Sequence, residues 1–132
     1  MTNEAQKYSE TIAQEVMNLE TVAKGPDADG YEDALAALEM DDRDELDGDP
    51  VGLWMTETPL DLSVRVDTRG PGHGYSIVLL RTTGGPHCEI RHDSNDGENV
   101  EIVTWWASDF GRVRVTAPNL LEMMRQLVGA LA

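Results

Sequence analysis

The spacing of apolar residues changes twice along this chain of 132 residues. In the N-terminal part they recur every three or four residues, which is typical of amphipathic helices. From Leu60 they alternate with polar residues, which is typical of half-buried strands, and after Pro118 the helical spacing returns. This order predicts an α+β fold with two N-terminal helices, a four- or five-stranded antiparallel meander and a C-terminal helix. The helices are expected to cover one face of the sheet.

The two N-terminal helices are predicted at residues 3–24 and 29–40. Asp27 or Asp29 is the expected N-cap of the second helix, because a short side chain with an oxygen can accept a backbone N–H there. Residues 51–55 are expected to form a short connector or a helical turn that returns the chain to the core.

The candidate strands are separated by turns rich in glycine, proline or asparagine. They lie at 60–67, 75–83, 87–93, 100–106 and 112–115, with turns at 69–74, 84–86, 94–97 and 108–111. A chain of this length is expected to form a single domain, 1–132. Its expected parts are an acidic helical part (1–58, with a loop at 41–50), the sheet (59–117) and the C-terminal helix (118–132).

The negative charge is concentrated in the first half of the chain. The formal net charge is −15, and residues 1–58 carry 16 acidic and 3 basic residues, whereas residues 59–132 carry 9 and 7. Residues 27–49, which include the run EMDDRDELDGDP up to Asp49, hold 11 acidic residues against Arg43 alone. The acidic surface of a salt-adapted protein would cover both halves, so this distribution predicts one localised negative face.

Acidic loops with Asp-Gly steps suggest a calcium site. An EF-hand loop needs oxygen ligands at its first and twelfth positions around a glycine at the sixth. Placing Gly48 sixth puts Arg43 first and Trp54 twelfth, and the registers built on Gly30 and Gly97 fail in the same way. The sequence therefore predicts no EF-hand site.

Three histidines raise the question of zinc or acid–base chemistry. On a strand, His87 shares a face with Glu89, while His92 shares the opposite face with Cys88, so the two histidines are not expected to converge. The chain has no nucleophile-and-base motif, and its Gly-Pro-Gly-His-Gly turn lacks the Lys-Ser/Thr of a phosphate loop. We predict no catalytic residue, metal or cofactor. A small enzyme or ligand binder that uses His73, His87 and Glu89 is a further alternative.

Adjacent tryptophans end the fourth candidate strand. Because neighbouring strand residues point to opposite faces, the pattern predicts Trp106 on the core side and Trp105 on the outside. An outward tryptophan is a candidate anchor for a partner protein, unless a helix covers that face as well.

The expected compartment is the cytoplasm. The single cysteine, Cys88, cannot form an internal disulfide. The start MTNEAQKYSE shows no secretory signal, and no apolar run approaches the roughly 20 residues of a membrane span.

The segment from Leu60 to Trp106 resembles a group of small acidic proteins encoded by phages and other mobile elements of bacteria. The residues that carry the resemblance are LDLSVRVDT, then YSIVLLRTTGGPHCEIRHD with its Gly-Gly-Pro turn, then VEIVTWW. The resemblance implies no catalytic motif. It implies inhibition of a host defence system, such as a CRISPR or restriction nuclease.

The acidic run itself has three interpretations: solvation of the surface, a docking face for a basic protein, or imitation of nucleic acid. DNA carries one negative charge per roughly 1.7 Å of its axis, a density that clustered carboxylates can approach. We expect a non-enzymatic binding protein that blocks a basic surface of a host protein or nucleoprotein complex, without itself binding nucleic acid or membrane. The alternative is an acidic accessory or halophilic domain with no inhibitory role. The predicted partner-binding residues are Asp27, Asp29, Glu32, Asp33, Glu39, Asp41, Asp42, Asp44, Glu45, Asp47, Asp49 and Trp105.

Overall fold

The computed structural model describes residues 3–40, 50–57, 59, 61–66, 75–83, 85–93 and 97–131. The elements in this part of the chain are α1 (Glu4–Ala23), α2 (Tyr31–Ala37), α3 (Pro50–Glu57), β1 (Asp61–Val66), β2 (Tyr75–Thr82), β3 (His87–Asp93), β4 (Asn99–Trp106), β5 (Asp109–Thr116) and α4 (Pro118–Leu131). The predicted α+β class and the antiparallel sheet are confirmed. Helix α3, expected as a connector or a single turn, adds a fourth helix to the predicted three. All helices among the described residues fall short of the apolar length that a bilayer crossing requires.

Each strand pairs antiparallel with the next, in the order β1-β2-β3-β4-β5. Residues directly opposite one another in this register share a face of the sheet. The helix-side face carries Ile77, Leu79, Cys88, Ile90, His92, Val100, Ile102, Thr104, Gly111, Val113 and Val115. The outer face carries Val78, Leu80, His87, Glu89, Arg91, Glu101, Val103, Trp105, Phe110, Arg112 and Arg114. The main buried cluster joins the helices to the helix-side face only.

Helix α1 lies directly on strand β5. Asn3 is its N-cap, since the Asn3 side-chain oxygen accepts the backbone N–H of Gln6 at 2.9 Å. Its apolar stripe is buried on the sheet, and Ser9 Oγ donates to Thr104 Oγ1 at 2.7 Å within this contact. A Cβ atom at Gly111 would lie 2.4 Å from the Cα of Gln6. Glycine at 111 is therefore what permits the close approach of α1.

Side chains of α1 also pair with the backbone of β5, which is a terminal strand of the sheet. The Gln6 amide donates to the Arg112 carbonyl at 3.2 Å and accepts the Arg112 N–H at 2.9 Å. The Asn3 amide donates to the Phe110 carbonyl at 2.9 Å. These bonds satisfy backbone groups of β5 that face away from β4.

Helix α2 is shorter than predicted, and its predicted capping residues were wrong. Its N-cap is Gly30, in the left-handed conformation at φ 79°, and no side chain caps the helix. Neither Asp27 nor Asp29 can serve as the cap, because the helix begins after the glycine at Tyr31.

The C-terminus of α2 is a Schellman turn with an unusual residue in it. The N–H of Met40 donates to the Leu35 carbonyl and the N–H of Glu39 to the Ala36 carbonyl, both at 3.0 Å. Glu39 has φ 58°, a left-handed conformation that glycine usually supplies at this position. The left-handed conformation of Glu39 therefore destabilises the folded state by about 1 kcal/mol relative to glycine at the same position.

The N-terminus of α4 is capped by a side chain from α1. Glu20 accepts the backbone N–H groups of Asn119 at 2.9 Å and Leu120 at 3.2 Å, while Pro118 occupies the first helical turn. Burial raises the pKa of the Glu20 carboxyl above 4.5, and these two backbone donors oppose the rise by favouring the ionised form.

We predict that Gly111→Ala lowers the free energy of unfolding by about 1–3 kcal/mol, because the added methyl group must push α1 off β5. Urea unfolding followed by circular dichroism measures the loss. Gly85→Ala is the control, since a Cβ there meets nothing within 4 Å. Equal losses for the two variants would contradict the close contact.

We also predict a pH-dependent difference between the wild type and Glu20→Gln. Because the pKa of Glu20 is raised in the folded state, the unfolded state releases this proton first. The free energy of unfolding of the wild type, relative to the variant, should therefore fall as the pH rises from about 4.5 through the raised pKa, and stay level above it. Urea titrations at several pH values measure the trend, with the exposed Glu10→Gln as control. A difference that grows with pH would show that the backbone donors outweigh burial.

Candidate protein-binding site

The acidic residues that surround α2 are exposed. Asp27, Asp29, Glu32, Asp33 and Glu39 all have exposed side chains. Within the described part of the chain, no ion pair reaches Asp27, Asp29, Asp33 or Glu39. The arginine ion pairs found there join Arg81 to Glu15, Arg91 to Glu89 and Arg112 to Glu101. The other predicted acidic residues, Asp41, Asp42, Asp44, Glu45, Asp47 and Asp49, lie outside the described residues.

Helix α2 is held on the C-terminal end of α1 by a small apolar cluster. Val22 of α1 packs there with Tyr31, Ala34 and Leu35 of α2. This packing uses one side of α2 and leaves its carboxylates turned outward. The result is an outward row of negative charge on a helix with a fixed position.

Trp105 lies at the centre of an aromatic cluster on the outer face. Its strand neighbours in the register are His87 on β3 and Phe110 on β5. The ring centroids of Trp105 and His87 are 5.4 Å apart, and those of Trp105 and Phe110 are 5.6 Å apart. The guanidinium carbon of Arg91 lies 5.1 Å from the centroid of the Trp105 ring, a cation–π contact. Trp105 is 37% exposed and Phe110 45% exposed.

A buried carboxylate organises the cluster from below. Glu89 is only 4% exposed. One of its oxygens lies 2.8 Å from Nε2 of His87, and the other accepts Nε–H of Arg91 at 2.8 Å. Glu89 therefore fixes both side chains that flank the indole ring of Trp105.

The tryptophan prediction is confirmed for the direction of each ring. Trp105 is on the outer face. The buried cluster that the described helices form with the sheet contains no residue of that face. Trp106 points to the helix side, where its ring meets Tyr8 of α1 edge-on with centroids 6.0 Å apart. It is still 37% exposed, because it ends the strand.

The histidines do not converge, as predicted for the two that the structure describes. His87 bonds Glu89 on the outer face, whereas His92 is buried on the helix side with Nδ1 2.9 Å from the Asn99 carbonyl. Cys88 is also buried there, and burial raises the pKa of its thiol. His73 lies outside the described residues. Within the described residues no three His, Cys, Asp or Glu side chains are placed to hold a metal ion.

Among the described residues, the structure does not bring Trp105 together with the acidic residues around α2. Helix α2 packs on α1, and α1 packs on the helix-side face, whereas Trp105 points away from α1. The sequence predicted Trp105 but missed Arg91 and Phe110 as its contacts. Phe110 was assigned to a turn, so its place beside Trp105 could not be seen without the strand register.

We predict that Arg91→Ala destabilises the protein by about 1–3 kcal/mol, because it leaves the buried Glu89 carboxylate without its guanidinium donor. Urea unfolding measures the change. Adding Glu89→Gln to Arg91→Ala should recover part of the loss, since the amide carries no charge to bury. If the stability lost by the double variant equals the sum of the losses of Arg91→Ala and Glu89→Gln, the two side chains do not act as a unit.

Comparison of the chain with protein-family models, curated proteins and solved structures finds no match in any of the three. A function for this chain therefore has to be argued from the geometry of its own residues. Among the described residues, two candidate surfaces stand out: the carboxylates around α2 and the aromatic cluster around Trp105.

Proposed function

We propose that this protein is a non-enzymatic inhibitor that acts in the cytoplasm. It docks the carboxylates of residues 27–49 on the basic nucleic-acid-binding surface of a partner protein. Residues 60–106 resemble small acidic proteins of phages and mobile elements, and the partner class that fits this resemblance is a nuclease or another DNA-handling component of a host defence complex. The protein itself contacts no nucleic acid, because its negative charge repels the phosphate backbone.

The observation that carries this proposal is the exposure of Asp27, Asp29, Asp33 and Glu39 without an ion pair among the described residues. Carboxylates that a protein uses for its own stability form ion pairs or cap a helix, as Glu89 and Glu20 respectively do. Those around α2 instead face water, where they attract a basic surface and speed the encounter with it.

Glu39 adds a second line of support. Its left-handed backbone would be relaxed by glycine, yet the position holds a carboxylate. Strained positions of this kind gather where a side chain serves a purpose other than folding. In this proposal the purpose is to extend the charged row beyond the end of α2.

We predict that Glu39→Gly stabilises the protein while weakening its hold on the partner. Ala107→Gly is a matched control, because Ala107 is also left-handed, at φ 54°, but lies in the turn between β4 and β5. Both variants should raise the unfolding midpoint in urea by relieving about 1 kcal/mol of strain. Only Glu39→Gly should lower the amount of partner retained from a bacterial lysate.

A fourfold variant tests the charge directly: Asp27→Asn, Asp29→Asn, Asp33→Asn and Glu39→Gln together. Its association rate with the retained partner should fall by about tenfold or more at low salt, and the wild type should lose a similar factor at high salt. The retained partner should also lose DNA binding in a mobility-shift assay when the wild type is added. An unchanged rate for the fourfold variant, or undiminished DNA binding, would refute the proposed function.

A further inference from the structure

We infer that a groove beside α2 holds one arginine side chain of the partner's basic surface. The groove has a volume of about 410 Å³ and is lined by Glu32, Leu35, Ala36, Glu39 and Met40. It lies within the carboxylate surface already proposed to dock the partner, so the inference rests on that function and names the chemical group that docks there.

The groove follows one side of α2 and the turn after it. Glu32, Leu35 and Ala36 occupy positions i, i+3 and i+4, which are neighbours on a helix surface. The Schellman turn folds back the residues that follow, because the N–H of Met40 donates to the Leu35 carbonyl. Glu39 and Met40 therefore line the same groove. Along the chain, one carboxylate precedes the apolar residues Leu35 and Ala36 and the other follows them.

The floor of the groove is apolar and held in place. Leu35 is 8% exposed and packs with Val22, Tyr31 and Ala34, and Met40 packs against the same cluster. Ala36 is exposed and contributes only a methyl group, so the groove is open to solvent at this residue. An apolar floor with carboxylates beside it favours a ligand that is both aliphatic and positively charged.

An arginine side chain matches both parts of this lining. Its methylene stem packs on apolar surface while its charged head stays in water or on a carboxylate. The planar guanidinium carries five N–H donors in a fixed arrangement and can bond carboxylates on two of its edges at once, whereas the lysine ammonium is a compact point charge. A nucleic-acid-binding surface supplies arginines of this kind, because it uses them to contact phosphates.

A metal ion does not match the lining. Leu35, Ala36 and Met40 offer no oxygen or nitrogen side-chain ligand, although hard cations such as Ca²⁺ need a shell of oxygen ligands. In the part of the chain that the structure describes, no three His, Cys, Asp or Glu side chains are placed to hold a metal ion. The occupant is therefore an organic cation.

Nuclear magnetic resonance of the full chain tests the groove, with an acetylated and amidated Gly-Arg-Gly peptide as the probe. The peptide should shift the amide signals of Ala36 and Met40 and the methyl signal of Met40 in a saturable way. The same peptide with citrulline, which keeps the shape of arginine without its charge, should leave these signals unchanged. A Gly-Lys-Gly peptide should bind more weakly, and equal binding would overturn the choice of arginine.

A pair of variants tests the apolar floor. Ala36→Leu fills the groove without changing the charge of the protein, and leucine suits a helix nearly as well as alanine. It should weaken binding of the arginine peptide by about tenfold or more, because the methylene stem loses its place on the floor. Ala37→Leu is the matched control, since Ala37 is the next residue of α2 and is also exposed but does not line the groove.

The control should bind the peptide like the wild type, and circular dichroism checks that both variants are folded. Equal shifts in the wild type and in Ala36→Leu would overturn the inference, because they would reflect diffuse attraction to the carboxylates.

Binding kinetics with the partner retained from the lysate separate the groove from the proposed function. Ala36→Leu should associate at the rate of the wild type, because its charge is the same, and dissociate about tenfold faster. If it dissociates like the wild type while the fourfold variant associates slowly, the groove is wrong and the docking function stands. If the peptide binds in the groove but the protein leaves the DNA binding of the partner intact, the function is wrong and the arginine site stands.

Discussion

The direct contact between α1 and β5 is the constraint on which the rest of the structure depends. Because residue 111 is glycine, the first turn of α1 can lie against the strand, and Ser9 can reach Thr104 in the buried contact. That position sets where the far end of α1 falls. Glu20 then meets the N-terminus of α4, and Val22 meets α2. The close approach at the start of α1 therefore also determines where α1 contacts α4 and α2.

The same contact gives the molecule two chemically different sides. All described helices that join the main core do so on one face of the sheet, and the opposite face carries an aromatic cluster over a buried carboxylate. The exposed carboxylates around α2 lie on the helical side of the molecule, because α2 packs on α1. In the part of the chain that the structure describes, the helices pack on one face of the sheet, so the carboxylates around α2 and the aromatic cluster form chemically separate surfaces.

The sequence predicted the parts of the fold in which local pattern decides. The long stripe of α1 and the alternation of β3 and β4 are strong periodic signals, and their positions agree with the structure. The boundaries that failed depend on backbone conformations that the residue types do not announce. Gly30 begins α2 where an aspartate cap was expected, and Ala107 takes the left-handed turn position for which glycine or asparagine would have been the signal. Of the candidate site, the outward direction of Trp105 was predictable, whereas its contacts with Arg91 and Phe110 follow from strand register, a long-range property.

The pairing of Gln6 and Asn3 with the backbone of β5 has a consequence for how the protein behaves among other chains. An uncovered edge strand exposes unpaired amide and carbonyl groups. A strand of another chain can pair with them, which is the first step of aggregation by β-sheet extension. Here a helical side-chain amide imitates the missing neighbour at Arg112 and occupies both of its bonding groups. Lengthening of the sheet by strand addition is thereby obstructed on the β5 side at Phe110 and Arg112, and a peptide seeking to join there would first have to displace the start of α1.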